Sequence, residues 1–597
     1  MKDRLENLLP HLTYFYSHLR FRLILLLVVN VIVAFMDGLG LAMFIPLLEL
    51  VSDQNRMAST TEMGKMSFLL DGIKALGLQL NLTVVLLSML LFFVLKGFAR
   101  WLAVYLSVVY QQFFVRKIRV ENIDALTNYR YEAFVKSDAG RIQNTMSGEA
   151  QRVVSAYQTY SRVIEQLMML MTYGVMAFLS NPEFAVLVLV GGILTNFLFN
   201  TLYNKTKAYS HQLVRKNSDF QGLLIQKVAF FKYLKATGLI HYYSKNLKQK
   251  VYEIEDAVRR MGVLNSLMQG VREPLLIGVV VAVILIQVNL LGSSLATIIL
   301  SILLFYRALS SVTLIQTAYN NFLSFSGSLS NMEAFVHELQ AARERPGSNE
   351  FLTFKDNINL KNLYFSYKNE EYILNDINLN LNKNETLALV GSSGSGKTTL
   401  MNIFSGLLSP TQGQILIDGV DAHNLNWPSL QKRIGYITQE PVIFDDTIFN
   451  NVTFWARKNP ETMQRFEQAI AKANIHQFVM QQEIREDARL GNNGINLSGG
   501  QKQRISIARE LYKEVDFLFM DEATSALDSE TERTIQESLD QLKGQYTTLI
   551  IAHRLSTVKN ADRVAILNQG RIERIGPYHE LIQASSVFQR MVELQEL

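Results

Sequence analysis

Two textures divide the chain. Long apolar runs recur through the first 320 or so residues, whereas beyond about residue 350 apolar and polar positions alternate over short distances. A helix that crosses a membrane needs about 20 consecutive, largely apolar residues. That length predicts six spans, at Leu23–Leu50, Leu82–Tyr110, Val163–Leu179, Glu183–Tyr203, Leu275–Leu291 and Leu295–Leu314. Short turns at Asn181 and Pro182, and at 291–294, join the third span to the fourth and the fifth to the sixth. The stretches 111–160 and 204–265 are instead long, polar and helix-prone. Residues 53–81 form the one sizeable loop on the opposite side, with Phe68–Gly77 a candidate interfacial helix.

Charge orients this pattern. Basic residues gather at the N-terminus (Lys2, Arg4, Arg20, Arg22) and in both long polar stretches (Arg116, Lys117, Arg119; Lys205, Lys207, Arg215, Lys216). The positive-inside rule therefore puts these segments in the cytosol. Met1–His18 has no small-residue cleavage site and reads either as an extension of the first span or as an interfacial helix. In the second reading Leu5, Leu8, Leu9, Leu12 and Phe15 share one face. A net charge of +5 is too small to argue for nucleic acid, and the absence of cysteine excludes disulfides and thiolate metal sites.

The second half reads as a soluble α/β domain. A polar stretch broken by Pro346 and Gly347 marks a linker, which gives a membrane domain at 1–335, a linker at 336–350 and a second domain at 351–597. Strand-like alternation at Leu360–Tyr367 is followed by a short buried strand, Leu387–Val390. That strand runs into Gly391, Ser392, Ser393, Gly394, Ser395, Gly396, Lys397, Thr398 and Thr399, with a helix from Thr398 onward. This is a phosphate-binding loop in its required strand–loop–helix context: backbone N–H groups surround phosphate oxygens, the lysine reaches the β and γ phosphates, and Thr398 can ligate Mg²⁺. Further on, Phe517–Met520 is an apolar strand ending in two acids, Asp521 and Glu522. An α/β sheet places its site at such strand ends.

Leu497, Ser498, Gly499, Gly500 and Gln501 resemble the signature of ATP-binding-cassette (ABC) proteins. With the phosphate loop they narrow the field to that superfamily, and the alternation of short outer turns with long inner excursions resembles its exporter-type members. The resemblance implies a six-helix all-α transmembrane domain followed by an α/β P-loop ATPase domain, with ATP and Mg²⁺ as cofactors. Tyr367 would stack on adenine, and Gln439 would touch Mg²⁺ and the γ-phosphate region. Asp521 would bind Mg²⁺ through water, Glu522 would orient the attacking water, and His553 would hydrogen-bond the γ-phosphate. Ser498, Gly499, Gly500 and Gln501 would cap the nucleotide of a partner subunit, and Asp528 belongs to a dimer-contact loop. One set of motifs and six spans make half a transporter, so a second copy is implied, a homodimer being the simplest case and a heterodimer the other. Tyr129–Gly140 and Ser218–Tyr233 resemble the transverse coupling helices. Asn492 departs from the family, which commonly has an acid there; an ion pair by that residue is lost, which puts one coupling contact in doubt but not hydrolysis.

Charges within the spans bear on the substrate. Asp37, Lys96, Arg100, Arg272, Glu273 and Arg307 fall in or at predicted spans, where charges face a protein interior or a wet cavity. Lys96 and Arg100 share a helical face. Two readings stand: a basic cavity for an anionic head group such as a lipid diphosphate, built from Lys96, Arg100, Arg272 and Arg307; or internal pairing, for example of Asp37 with Lys96. Arg272 and the run Phe305, Tyr306, Arg307 make the membrane half similar to bacterial lipid-linked oligosaccharide flippases. This implies a multi-pass protein of the bacterial inner membrane that moves a lipid-linked substrate. A multidrug or lipid A-like lipid exporter is the alternative, and an ATP-gated channel or regulator stands behind it.

Overall fold

The computed structural model describes residues 12–44, 81–180, 182–289, 295–367, 371–521, 540–552 and 554–596, with a few single positions between these stretches. It divides into two compact units, one of residues 1–129 and 133–343, the other of residues 130–132 and 344–597.

The first unit is helical. A short helix α1 (Leu12–Leu19) precedes α2 (Phe21–Ala42). The next helix, α3 (Leu82–Thr127), starts at Asn81, whose side chain accepts the Val84 N–H at 2.9 Å and so satisfies one orphan donor. Its 46 residues imply a length of about 69 Å, more than a hydrocarbon core requires. The apolar half exposes Leu87, Leu90, Val94, Phe98 and Trp101, as a lipid-facing surface does, while Ala99 and Ala103 turn inward. Beyond the break at Asn128 come α4 (Tyr131–Lys136) and α5 (Ala139–Asn144), the latter capped by Asp138. One π-turn, Thr145–Glu149, leads into α6 (Ala150–Ser180).

The resemblance to exporter-type proteins implies paired helices that extend well below the bilayer, and the structure joins spans and excursions into single helices. Helices α7 (Pro182–Ala229) and α10 (Leu295–Ala341) run unbroken from an apolar into a polar stretch, and α9 (Ile240–Asn289) from a polar into an apolar one, continuing through Pro274. Between α7 and α9 sits α8 (Phe231–Ala236). The second coupling helix was expected to end at Tyr233; instead α8 begins near that point and carries exposed Phe231 and Tyr233. Likewise α10 extends past residue 335 into the expected linker. Among the described residues, Phe21–Ala42, Leu82–Thr127 and Ala139–Leu179 are long and apolar enough to cross a membrane. The candidate interfacial helix at Phe68–Gly77 and most of the face from Leu5 to Phe15 lie outside the described residues. Among the described residues, two larger apolar clusters hold the bundle, with a smaller third around Tyr129, Phe335 and Leu339. One joins Val33, Leu41, Met176 and Ala308; the other is aromatic, with Phe15, Phe114, Tyr157, Tyr160 and Phe322.

The second unit has two sheets. One is antiparallel, in the order β2 (Leu374–Asn382), β1 (Asn357–Phe365), β4 (Gln412–Ile417), β5 (Val420–Asp421). The other has the order β10 (Arg571–Gly576), β9 (Arg563–Asn568), β3 (Thr386–Val390), β8 (Thr547–Ile551), β7 (Phe517–Asp521), β6 (Ile434–Ile437). All neighbours in it are parallel except β10 against β9. Strands β3 and β8 are buried along their whole length, which explains their continuous apolar runs: a parallel sheet is covered on both faces. Each buried Leu, Ile or Phe there contributes about 1.5–3 kcal/mol of transfer free energy.

Candidate functional site

The parallel sheet gathers the chemistry at one edge. Leu389 of β3 lies beside Ile551 of β8, Ile551 beside Asp521 of β7, and Met520 of β7 beside Ile437 of β6. The loop after β3 is the phosphate loop, Asp521 ends β7, and Gln439 stands exposed two residues past β6. Residues distant in sequence thus emerge from neighbouring strands in one direction, where open parallel sheets bind ligands.

The loop has the form of a phosphate cradle. Gly396 has φ 102°, and a Cβ there would come within 2.7 Å of the Leu374 side chain. A Cβ at Gly391 would collide with the Leu567 carbonyl oxygen, so both positions exclude side chains on steric grounds. Lys397 is buried, and its Nζ donates to the carbonyls of Gly391 at 2.9 Å and Ser392 at 3.0 Å, curling the loop around the ammonium. The Ser395 hydroxyl is buried with no hydrogen-bond partner among the described residues. An unsatisfied buried hydroxyl is costly, and a phosphate oxygen would satisfy it. Ser392, Ser393, Gly394 and Thr398 are exposed, and Thr399 is partly buried. Lys397 opens α11 (Lys397–Phe404), one residue earlier than expected, and the helix N-terminus adds a favourable dipole for an anion. These features fit nucleotide phosphates, with Thr398 and Asp521 as oxygen donors for a hard cation.

Around this edge, Tyr436 of β6 has its pKa raised by burial, then by the charge of Asp521 and by Tyr131. Its hydroxyl is a neutral partner for Asn402 Oδ1 at 3.3 Å. Tyr131 packs against the same hydrophobic cluster as Phe404 and Phe519. Tyr367 is partly buried and meets Phe365 edge-on at 4.9 Å between centroids. Glu522, Asp528 and His553 lie outside the described residues.

The signature opens α14, counted after α12 (Ile448–Thr453) and α13 (Pro460–Lys472), and spanning Gly499–Tyr512. Ser498 and Gln501 form a capping box: the Ser498 hydroxyl accepts the Gln501 N–H at 3.3 Å, and the Gln501 side chain accepts the Ser498 N–H at 2.9 Å. Ser498 and Gly499 are exposed at the helix end while Gly500 is buried. Asn492 is exposed, in a short 3₁₀ turn after Gly491. Sequence reasoning missed Arg509 on this helix. It is 3% exposed and donates to the Asn451 carbonyl at 2.6 Å, the Val442 carbonyl at 2.7 Å and Asn451 Oδ1 at 2.9 Å. Phe444 and Phe454 lie over the same guanidinium. Arg509 therefore pins the segment that follows Gln439.

The first unit divides the span charges. Lys96 Nζ meets Asp37 at 2.5 Å, and the Tyr173 hydroxyl donates to the other oxygen of that carboxylate. Arg100 pairs with Glu165. Lys96 and Arg100 are therefore neutralised internally, which weakens their place in a basic cavity. Glu165 was the missed partner; its signal was an acid in an otherwise apolar run. Arg307, on α10, is exposed and has no ion-pair partner among the described residues. The side chain of Arg272 is outside the described set.

Comparison with known proteins agrees with this arrangement. The family description "ABC transporter transmembrane region" matches residues 23–315, and "ABC transporter" matches residues 374–525. The heterocyst differentiation ATP-binding protein HepA of Nostoc sp. is 28% identical over 467 residues, 78% of this chain and 77% of that protein. The ATP-dependent lipid A-core flippase of Francisella tularensis subsp. tularensis is 39% identical over 252 residues, 42% of this chain and 41% of that protein. The match to the flippase thus spans well under half of its length. A putative multidrug export ATP-binding/permease protein, YgaD of Bacillus subtilis, is 36% identical over 287 residues, 47% of this chain and 49% of that protein. The solved structure of a bacterial Atm1-family ABC exporter with ATP bound superposes with a TM-score of 0.78 at 20% identity, covering 97% of this chain and 99% of that one.

Proposed function

The chain belongs to the ABC transporter family as an exporter-type half-transporter that couples ATP hydrolysis to transport, and on that premise we propose that two copies of it move an amphiphile with an anionic head group, such as a lipid-diphosphate-linked oligosaccharide, out of the cytoplasmic leaflet. The observation that carries this reading is Arg307: Lys96 and Arg100 are each held by an acid, whereas Arg307 is exposed with no ion pair among the described residues. A charge left unpaired in a membrane domain is a functional site by default.

In this reading Lys397 leaves the loop carbonyls for the β and γ phosphates, and the N–H groups after Gly391 take the remaining oxygens. Tyr367 stacks on the base. Glu522 orients the attacking water and takes up its proton, and His553 donates to the γ-phosphate. Mg²⁺, held by Thr398 and reached by Gln439 and by Asp521 through water, would supply charge neutralisation when bound. Ser498, Gly499, Gly500 and Gln501 face the nucleotide of the other copy, and Asp528 lies at the dimer contact. The exposed Phe230, Phe231, Tyr233 and Tyr242 around α8 favour assembly, since one chain leaves them uncovered. The basic clusters favour a cytoplasmic nucleotide domain, and the bacterial relatives favour the bacterial inner membrane as its place.

The resemblance to lipid A-core flippase and YgaD favours a second reading, export of drugs or lipid A-like lipids. Reconstitution separates the two. Movement of the lipid diphosphate that Arg307→Ala abolishes, with basal ATPase retained, supports the first; ATPase stimulated by hydrophobic drugs or lipid A-like lipids, with no such movement, supports the second.

A further inference from the structure

A cavity of about 500 Å³ lies in the cytosolic part of the first unit, between α5, α7 and α10. Two close helix crossings bound it. At one end Gly327 of α10 meets Ser210 of α7, where a Cβ would come within 2.8 Å of the Ser210 backbone, and the Ser210 hydroxyl accepts the Gly327 N–H at 3.0 Å. At the other, Gly140 of α5 abuts Gly222 of α7, where a Cβ on Gly140 would come within 2.5 Å of the Gly222 backbone. Between these pinch points the helices part, and their facing residues are polar.

The charges in the wall are unequally engaged. Arg141 pairs with Glu338. Asp138 accepts the Arg141 N–H at 2.7 Å as a helix cap, and Asp219 stands 3.5 Å from Lys250. Arg215 and His211 differ: one turn apart on α7, both lining the cavity, they have no hydrogen bond or ion pair among the described residues. Ser218 and Ser330 line the same space, but the Ser218 hydroxyl is engaged, donating to the Val214 carbonyl at 3.2 Å and accepting from Asn144 at 3.3 Å. A guanidinium fork with an imidazole and the Ser330 side chain nearby suits the several oxygens of a phosphoryl group, and the volume falls within the range of about 300–1,000 Å³ usual for small-molecule sites. The wall is also tied to the π-turn, because Asn144 donates to both Ser218 and Glu149, and Asn331 donates to the other Glu149 oxygen.

We infer that this cavity binds a phosphate-bearing anion, held by Arg215 and His211 at the joint where α7 crosses α5 and α10. The inference is independent of the role of Arg307. It names one chemistry with two sources, a soluble phosphate ester or a lipid head group.

The test uses the full-length protein in phosphatidylcholine nanodiscs, its nucleotide sites saturated with a non-hydrolysable ATP analogue and Mg²⁺. Hydrogen exchange is followed in peptides covering residues 138–145 and 211–219 while inorganic pyrophosphate is titrated. Slowed exchange in both peptides is expected, with the half-maximal concentration raised at least tenfold by Arg215→Gln and partly restored by Arg215→Lys, at unchanged melting temperature. Slowed exchange without pyrophosphate in phosphatidic acid nanodiscs, sensitive to Arg215→Gln, supports the site with lipid as the source. No protection by either ligand, or the same titration in Arg215→Gln, overturns the inference. Full protection already present in phosphatidylcholine nanodiscs overturns it too, because a second subunit then fills the groove.

Discussion

Asp37 and Lys96, 59 residues apart in sequence, meet at 2.5 Å between α2 and α3. The Asp37 side chain is 3% exposed and that of Lys96 26%, so the acid is buried and the base reaches in from the edge. Removing one member of such a pair leaves an uncompensated charge, at a cost of about 3–5 kcal/mol, whereas removing both is often near neutral. Lys96→Met should therefore lower the thermal midpoint in detergent sharply, and Asp37→Asn with Lys96→Met should recover most of it. If Lys96→Met melts like the wild type, the pair holds nothing together and Lys96 returns as a candidate for substrate.

Gly396 tests the phosphate cradle. Its φ of 102° lies where an alanine pays about 1–3 kcal/mol of backbone strain, and the new methyl would press on Leu374. Gly396→Ala should weaken binding of a fluorescent ATP analogue by about tenfold or more, with little change in the melting of the membrane unit. Unaltered affinity would mean that the loop closes on phosphate in another shape.

Ser498 separates a structural from a catalytic part. As an N-cap it contributes about 1 kcal/mol to the nucleotide domain; were that its whole role, Ser498→Ala would cost a few degrees of melting temperature and leave ATPase nearly intact. If it also caps the nucleotide of the second copy, turnover falls by far more than stability explains. The account predicts the large loss; a small one removes Ser498 from the composite site.

Glu522→Gln keeps shape and removes the carboxylate. Loss of a positioned base costs about 10²–10⁴-fold, so the variant should bind ATP, turn it over at that reduced rate and accumulate as a closed dimer on size-exclusion chromatography. Near-normal hydrolysis would take the base role away from Glu522.

Local chemistry was the legible part of this chain. The phosphate loop and the apolar strand ending at Asp521 each sit within a few residues, so the sequence carries their geometry directly. The pairing of Lys96 with Asp37 could be written down as one of two readings, because both charges stood out against apolar runs. Choosing between those readings required packing across helices, as did finding Glu165 for Arg100 and the Tyr173 hydroxyl on Asp37. Helix continuity came from the family resemblance and not from the apolar pattern. A fall in hydropathy marks the edge of a membrane and not the end of a helix, so α7, α9 and α10 run on where the apolar pattern stops. Arg509 looked like one more polar residue on a helix, and only its burial against Val442, Asn451 and two aromatic rings gives it a role.

The most direct test of the central claim is ATP-dependent transbilayer movement of a labelled lipid-diphosphate-linked oligosaccharide in proteoliposomes, measured for the wild type, Glu522→Gln and Arg307→Ala. The account predicts movement by the wild type alone, with Arg307→Ala retaining basal ATPase. Movement that persists in Arg307→Ala, or its absence from a wild type whose ATPase responds to hydrophobic drugs, would contradict it.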